Sequence, residues 1–202
     1  MSILSIDTSS QVSSVAVLSA ERVAAEISMQ GALTHSETLM PHIETVLRMA
    51  RVEKVELEGI AVSIGPGSFT GLRIGLAAAK MMAYVLHIPL IAVPTLETLA
   101  HHCICGGIRL VPMMDAQKGN VYVQEFTWRA DGDVLNLHEE SPLAILPLTE
   151  VIASLAGTEQ PVLLLGDAMQ KKTSLPLPTN VRLAPIHARM PRAACVGLAA
   201  LT

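Results

Sequence analysis

The stretch Val62–Lys80, "VSIGPGSFTGLRIGLAAAK", decides how this chain is read. An apolar run ends in Gly65, Gly67 and Gly71, and Leu72, Ile74, Leu76, Ala79 and Ala83 then recur at helical spacing. A glycine-rich turn between strand and helix can cradle a phosphate, because a helix N-terminus presents free N–H groups and a partial positive charge. The turn is not a P-loop: Leu72 and Arg73 follow Gly71 where Lys and Ser or Thr would stand. Nor is it the dinucleotide fingerprint, since the third glycine comes one residue late. Glycine also lets two backbones approach closely, and Gly71, Gly75 and Ala79 make a small-residue stripe that a second helix could meet. Packing is the preferred reading from the residues alone, with anion binding kept open.

Upstream, "SILSID", "VSSVAVLSA" and "VAAEISM" read as three short strands joined by turns too short for crossover helices, hence an antiparallel meander. "LTHSETLMPHIETVLRMA" then reads as a helix, with Thr34 and Glu37 as a capping box and Leu39, Ile43, Val46, Leu47 and Ala50 on one face. Pro41 inside that pattern predicts a kink or a late start. "GIAVSIG" and "PLIAVP" read as buried strands and "TLETLAHHC" as a helix, so the order βββαβαβα predicts a layered α/β domain with a mixed sheet.

The pattern then repeats. "ILSIDTSSQVSSVAV" from Ile3 matches "LVPMMDAQKGNVYVQ" from Leu110: a strand ending in Asp, a polar turn, and a second strand. Asp7 and Asp115 correspond, and "IAVSIGPG" has its counterpart in "VLLLGDAM". Such a duplication predicts two lobes facing a cleft, residues 1–106 and a shorter 107–202. "HEESPLAILPLTEVIASLAG" is interrupted by prolines and predicts only partial helix. The chain stops in the apolar, helix-like "CVGLAALT", which suggests a truncated C-terminus.

Composition excludes several functions. Of 202 residues, 50% are hydrophobic but only 2% aromatic, so the core is built from Ala, Val, Leu, Ile and Met. A net charge of −4 offers no basic face for nucleic acid, and Lys171-Lys172 and Arg189 with Arg192 read as solvated surface. Cys103, Cys105 and Cys195 are odd in number and lack zinc-site spacing, which suggests reduced thiols. No secretory signal is visible, and the apolar region from Gly75 to Pro94 is broken by Lys80, His87 and Pro89. The reading is a cytoplasmic protein with no membrane partner. His35 and His42 are too far apart for a pair of ligands on one helix, and His101-His102 is expected to be exposed. "IDTSS" could hold a metal-bound phosphate, yet Asp and Ser are also ordinary turn formers. No metal site and no catalytic set emerge.

Taken together, "ILSIDTSS", "SVAV", "HSETLMPHI", "IAVSIGPGSFTGLRIGLAAAK", "IPLIAVPTLETLA", "MMDAQKGNVY" and "GDA" resemble the TsaB family, also called YeaZ. The resemblance runs to about Ala168, and "GPGSFTGLRIG" is its most specific part. It implies an actin/Hsp70/sugar-kinase-like (ASKHA) fold of duplicated ribonuclease-H-like lobes with mixed sheets. It also implies a non-catalytic scaffold subunit. Members partner the related catalytic subunit TsaD and, with the P-loop ATPase TsaE, make N6-threonylcarbamoyladenosine on tRNAs reading codons that begin with A. The threonylcarbamoyl group comes from an adenylate made by a separate enzyme. No intrinsic cofactor is implied, ATP or ADP belongs to the assembled complex, and tRNA is reached only through it.

Residue by residue, the resemblance puts the nucleotide site on Asp7, Thr8, Ser9, Gly65, Gly67, Ser68, Asp115, Gly166 and Asp167, and marks it as degenerate. Ser9 stands where active members of the superfamily carry glycine, "DAQKG" lacks an early glycine after its Asp, and the histidine pair that binds metal in TsaD has no equivalent. The partner interface is implied on the first two helices, roughly Thr34–Ala50 and Thr70–Leu86, through His35, Leu39, Ile43, Val46, Gly71, Ile74, Gly75 and Ala78. Gly75→Leu is accordingly expected to weaken partner binding and spare the fold. The same surface could form a homodimer when the partner is absent. Two other readings stand beside the scaffold: an autonomous small-molecule kinase or glycoprotease-like enzyme of this fold, and a regulator of the TsaD-like partner by dimer exchange or proteolysis.

Overall fold

The computed structural model describes residues 2–31, 35–170 and 175–202. The Thr34 half of the expected capping box and the Lys171-Lys172 pair lie outside the described residues. Two compact units emerge, Met1–Thr98 with Pro191–Thr202 and Leu99–Met190.

In the first unit the meander forms as expected: β1 (Ile3–Asp7), β2 (Val12–Leu18) and β3 (Val23–Gln30) pair antiparallel. Next come α1 (His35–Ala50), β4 (Gly59–Ser63), α2 (Phe69–Leu86), β5 (Leu90–Val93) and α3 (Thr95–Ala100). β4 joins β1 and β5 joins β4, both parallel, so the sheet runs β3-β2-β1-β4-β5. Alternation sorts each strand between two layers. Leu4, Ile6, Val15, Val17, Ile60 and Val62 pack under α1 and α2, while Ile3, Ala16, Leu18 and Ala61 meet a C-terminal helix, α5 (Ala193–Leu201). Residues 191–202, counted with the second lobe in the sequence reading, therefore pack in the first unit. Gly197 brings α5 that close: a Cβ there would overlap the Leu18 side chain. Of the kink or late start expected at Pro41, the late start does not occur: α1 runs from His35 through Pro41, because Leu39, Ile43, Val46 and Leu47 seat it on the sheet on both sides of the proline.

The second unit repeats the plan. β6 (Arg109–Asp115) and β7 (Asn120–Val123) pair antiparallel. β10 (Ala144–Pro147) extends that side, and β11 (Val162–Leu165) and β12 (Val181–Leu183) add in parallel on the other. The order β10-β7-β6-β11-β12 is the first sheet over again, which makes the duplication visible in topology. An inserted hairpin, β8 (Phe126–Asp131) and β9 (Val134–Glu139), shares with β7 one edge of β6. It was not anticipated, although Gly132-Asp133, the two residues of its turn, with Gly132 at positive φ, is a recognised hairpin signal. α4 (Leu148–Ser154) supplies the partial helix expected after "ESP".

Candidate functional site

Asp7 ends β1 with 0% exposure. Its Oδ1 accepts hydrogen bonds from the Ser9 backbone N–H at 3.1 Å and from Ser9 Oγ at 3.0 Å, and its Oδ2 accepts one from Ser63 Oγ at the end of β4. Both carboxylate oxygens are thus occupied by the chain's own donors. Burial pushes the carboxyl above its ordinary value, against the opposing pull of the Ser63 and Ser9 hydrogen bonds and the nearby His35. Ser9 and Ser63 together close this shell.

The glycine loop is pressed onto the same turn. The Ser68 N–H donates to the Ser9 carbonyl at 2.7 Å, and Thr8 Oγ1 donates to the Gly71 carbonyl at 2.8 Å. A Cβ on Gly67 would overlap the Ser9 carbonyl, one on Gly71 the Thr8 carbonyl, and one on Gly75 the Thr8 hydroxyl. Ser68 caps α2 by accepting from the Gly71 N–H at 3.2 Å, so one of the amides an anion would need is already paired. The glycines serve close approach, with the β1–β2 turn of the same lobe as their neighbour instead of a second helix. His35 and His42 serve that turn too: His35 Nε2 donates to the Ser10 carbonyl at 2.9 Å, and His42 Nδ1 meets Ser13 Oγ at 3.3 Å.

A pH dependence follows from Asp7. Its folded-state carboxyl holds a proton to higher pH than the unfolded chain, whose value lies near the ordinary 3.8. The folded state therefore binds more protons through that window, and its stability falls as pH rises from there through the raised folded value. Asp7→Asn, which cannot ionise, is expected to flatten this slope. Urea unfolding of both forms between about pH 4 and pH 7 reads it, and equal slopes would show that burial does not govern the carboxyl.

In the second unit the counterpart is open. Asp115 is exposed at the end of β6, its Oδ1 accepting from the Gln117 N–H at 2.8 Å, while Asp167 Oδ1 accepts from the Asp115 N–H at 2.9 Å. Together with Lys118, Gly119 and Asn120 they border a cavity of about 330 Å³. Gly166 is required before Asp167: its φ is +94°, and a Cβ would overlap the Met113 carbonyl. Among the described residues, no group of three His, Cys, Asp or Glu side chains is arranged to hold a metal ion.

Most of the residues implied for the interface lie on the inner faces of α1 and α2. Leu39, Ile43 and Val46 are 2%, 0% and 0% exposed and Gly71 and Gly75 are buried, all against the chain's own sheet and turn. Ile74 and Ala78 pack half-buried beside them. Apolar periodicity marks the face that a helix turns to its own core, and these positions are that face. What α2 turns outward is Phe69, Met81, Tyr84 and Val85, exposed by 68, 64, 78 and 63%, with Arg73 stacked over the Phe69 ring at 3.7 Å. Among the described residues α2 alone is long and apolar enough to cross a membrane, and here it lies along the sheet. Met40 and Met49 of α1 add smaller exposed apolar spots. Two further expectations change. His101 is buried, edge-on to the Trp128 ring at 5.1 Å, because α3 ends just before it. Arg189 is half-buried and donates from Nε to the Ala184 carbonyl at 2.6 Å.

Comparison with known proteins completes the description. Residues 28–181 match the family model described as TsaD, tRNA N6-adenosine threonylcarbamoyltransferase. The chain is 34% identical to the tRNA threonylcarbamoyladenosine biosynthesis protein TsaB of Bacillus subtilis strain 168, over 82% of this chain and 71% of that protein. It is 33% identical to the protein of the same name from Escherichia coli K12, over 62% of this chain and 55% of that protein. Among solved structures, YeaZ from Pseudomonas aeruginosa superposes with a TM-score of 0.81 at 24% identity, covering 98% of this chain and 90% of that one.

Proposed function

This chain belongs to the TsaB (YeaZ) family, and from that membership and its geometry we propose that it is a non-catalytic scaffold subunit in the formation of N6-threonylcarbamoyladenosine on tRNA. It pairs with a TsaD-like catalytic subunit, and the pair supports a TsaE-like P-loop ATPase. The complex modifies the adenosine beside the anticodon in tRNAs reading codons that begin with A. The chain needs no cofactor of its own; ATP and tRNA are met by the assembly.

The observation that carries the reading is the outer face of α2. Burying an exposed large apolar side chain is favourable by about 1.5–3 kcal/mol, and four such side chains stand uncovered on one helix. An isolated monomer gains nothing from that arrangement, whereas a subunit that meets a related lobe does. The same face pairs two copies of the chain when the partner is absent. The sealed Asp7 supports the non-catalytic half of the reading, because a carboxylate with 0% exposure and both oxygens engaged is not free to hold a metal-bound phosphate. The match to a transferase model is consistent with this, since a scaffold and a catalytic subunit that share a duplicated lobe share its sequence pattern.

The test is threonylcarbamoyl transfer to tRNA in a reconstituted system with TsaD- and TsaE-like partners, with and without this chain. Transfer that requires the chain, together with inertness of the chain alone, is the expected result. Transfer that proceeds equally without it would overturn the proposal.

A further inference from the structure

We propose that Cys103 and Cys105 form a reversible redox-modification site, a C-x-C dithiol that closes to an intrachain disulfide with a low-molecular-weight disulfide such as glutathione disulfide. The sequence reading took these residues as reduced thiols; the fold sets their sulfurs side by side. Their Sγ atoms are 3.3 Å apart in the segment that joins α3 to β6. Ile104 between them points outward with 51% exposure, so the two thiols share the opposite side of the segment. Both are half-buried, which leaves room for a small reagent, while Cys195 is only 8% exposed.

The chemistry balances as two exchanges. Cys105 sulfur attacks one sulfur of the small disulfide and displaces a small thiol, which carries away the proton that Cys105 lost. Cys103 then releases its proton and attacks the Cys105 sulfur of the mixed disulfide, expelling the second small thiol. Two cysteine thiols are oxidised by two electrons, and the small disulfide is reduced to two thiols. Excess thiol reverses both steps. Burial and the neighbouring Cys105 push the Cys103 thiol up to about 11. Cys103 therefore lacks the stabilised thiolate that makes some dithiols strong oxidants.

The segment reports its own state. Trp128, the chain's single tryptophan, donates from Nε1 to the Ala100 carbonyl at 3.3 Å, and the His101 ring stands edge-on to it. On the other side of the pair, Gly106 bridges to the Trp128 backbone. Closure of Cys103 onto Cys105 shortens a strap with one end bonded to the Trp128 indole and the other bridged to the backbone of the same residue. This inference is independent of the scaffold reading, because it concerns the chain alone.

The experiment equilibrates the full chain in glutathione buffers from fully reduced to oxidised, quenches with an alkylating reagent, and follows intact mass, peptide maps and tryptophan fluorescence. Two of the three thiols should disappear together. The mapped link should be Cys103–Cys105 within one chain, fluorescence should shift in step, and dithiothreitol should restore both signals. Cys103→Ser and Cys105→Ser should each abolish the reversible loss of two hydrogens, and Cys195→Ser should keep it. Three alkylatable thiols at the oxidised end, a persistent glutathione adduct without closure, or a link between chains would each overturn the proposal. Mapping of the wild-type chain decides the matter even where a serine variant fails to fold.

Discussion

Gly71→Ala is expected to lower the stability of the first unit by about 3 kcal/mol, where the same change in an ordinary helix would raise it by about 1 kcal/mol. The reversal comes from what lies against Gly71. A Cβ would overlap the Thr8 carbonyl, which is backbone and cannot rotate away. Nor can the β1–β2 turn withdraw at low cost, since Thr8 Oγ1 bonds the Gly71 carbonyl and the Ser9 carbonyl accepts from Ser68. Each such bond contributes about 1 kcal/mol net, and losing it leaves a buried group unsatisfied. Retreat would also loosen the Ser9 donors that hold the buried Asp7. For a chain of this size the loss corresponds to a fall in Tm of about 6–12 °C. Thr70→Ala, at an exposed neighbour, serves as the control and should move Tm little. Gly75→Leu should do worse than Gly71→Ala, because it drives a whole side chain against Thr8. This reverses the expectation, drawn from the sequence, that it spares the fold. Urea unfolding measures all three, and a stabilised Gly71→Ala would mean that helix and turn are not in contact.

Much of the fold was legible because it repeats. The strand-Asp-turn-strand unit occurs twice, and both copies place their Asp at the end of a central strand. Periods of two and of 3.6 separated strands from helices through α3, since β-branched runs and apolar stripes there are uninterrupted. The β8–β9 hairpin escaped because its second strand, "VLNLHE", is largely exposed and carries too little apolar alternation to register. The allegiance of α5 escaped for another reason. A helix apolar over most of its surface says that it is covered but not by which sheet, and its neighbours Ile3, Ala16 and Leu18 lie at the far end of the chain.

The site shows the same division. That Ser9 stands in the turn two residues after Asp7 was readable from the sequence. That Ser9 and Ser63 together seal Asp7 was not, because Ser63 arrives from β4 through sheet pairing. The implied interface positions fall on the inner face because a single periodicity served two faces. Spacing of three and four finds Gly71, Ile74, Gly75 and Ala78, but Phe69, Arg73, Ala77, Met81 and Val85 follow the same rule four residues at a time. A helix apolar all round needs cover on both sides, and small residues on one side with large ones on the other tell which is which. Gly71, Gly75, Ala79 and Ala83 suit a sheet surface approached closely, and the large residues suit a second subunit.

That assignment makes the largest expected effect on function. Phe69→Glu combined with Tyr84→Glu should leave the chain folded, because both side chains are already more than two-thirds exposed and neither supports the core. It should weaken association with a TsaD-like subunit by about 100-fold or more, on the order of 3 kcal/mol, since a carboxylate placed in an apolar contact must be desolvated without a partner. Met81→Glu on the same stripe should act in the same direction, and Arg73→Ala should cost less, because it removes only the cation stacked on Phe69. Titration calorimetry with the partner reads the affinity, and circular dichroism with urea unfolding confirms that the fold is kept. The same variants should lose homodimer and lose threonylcarbamoyl transfer in parallel, because the proposed function assigns all three to one helix face. A double variant that folds, binds the partner with unchanged affinity and supports full transfer would move the interface off α2. The four exposed apolar residues would then need a different cover, with a lipid surface the first to test, given a helix already long and apolar enough for one.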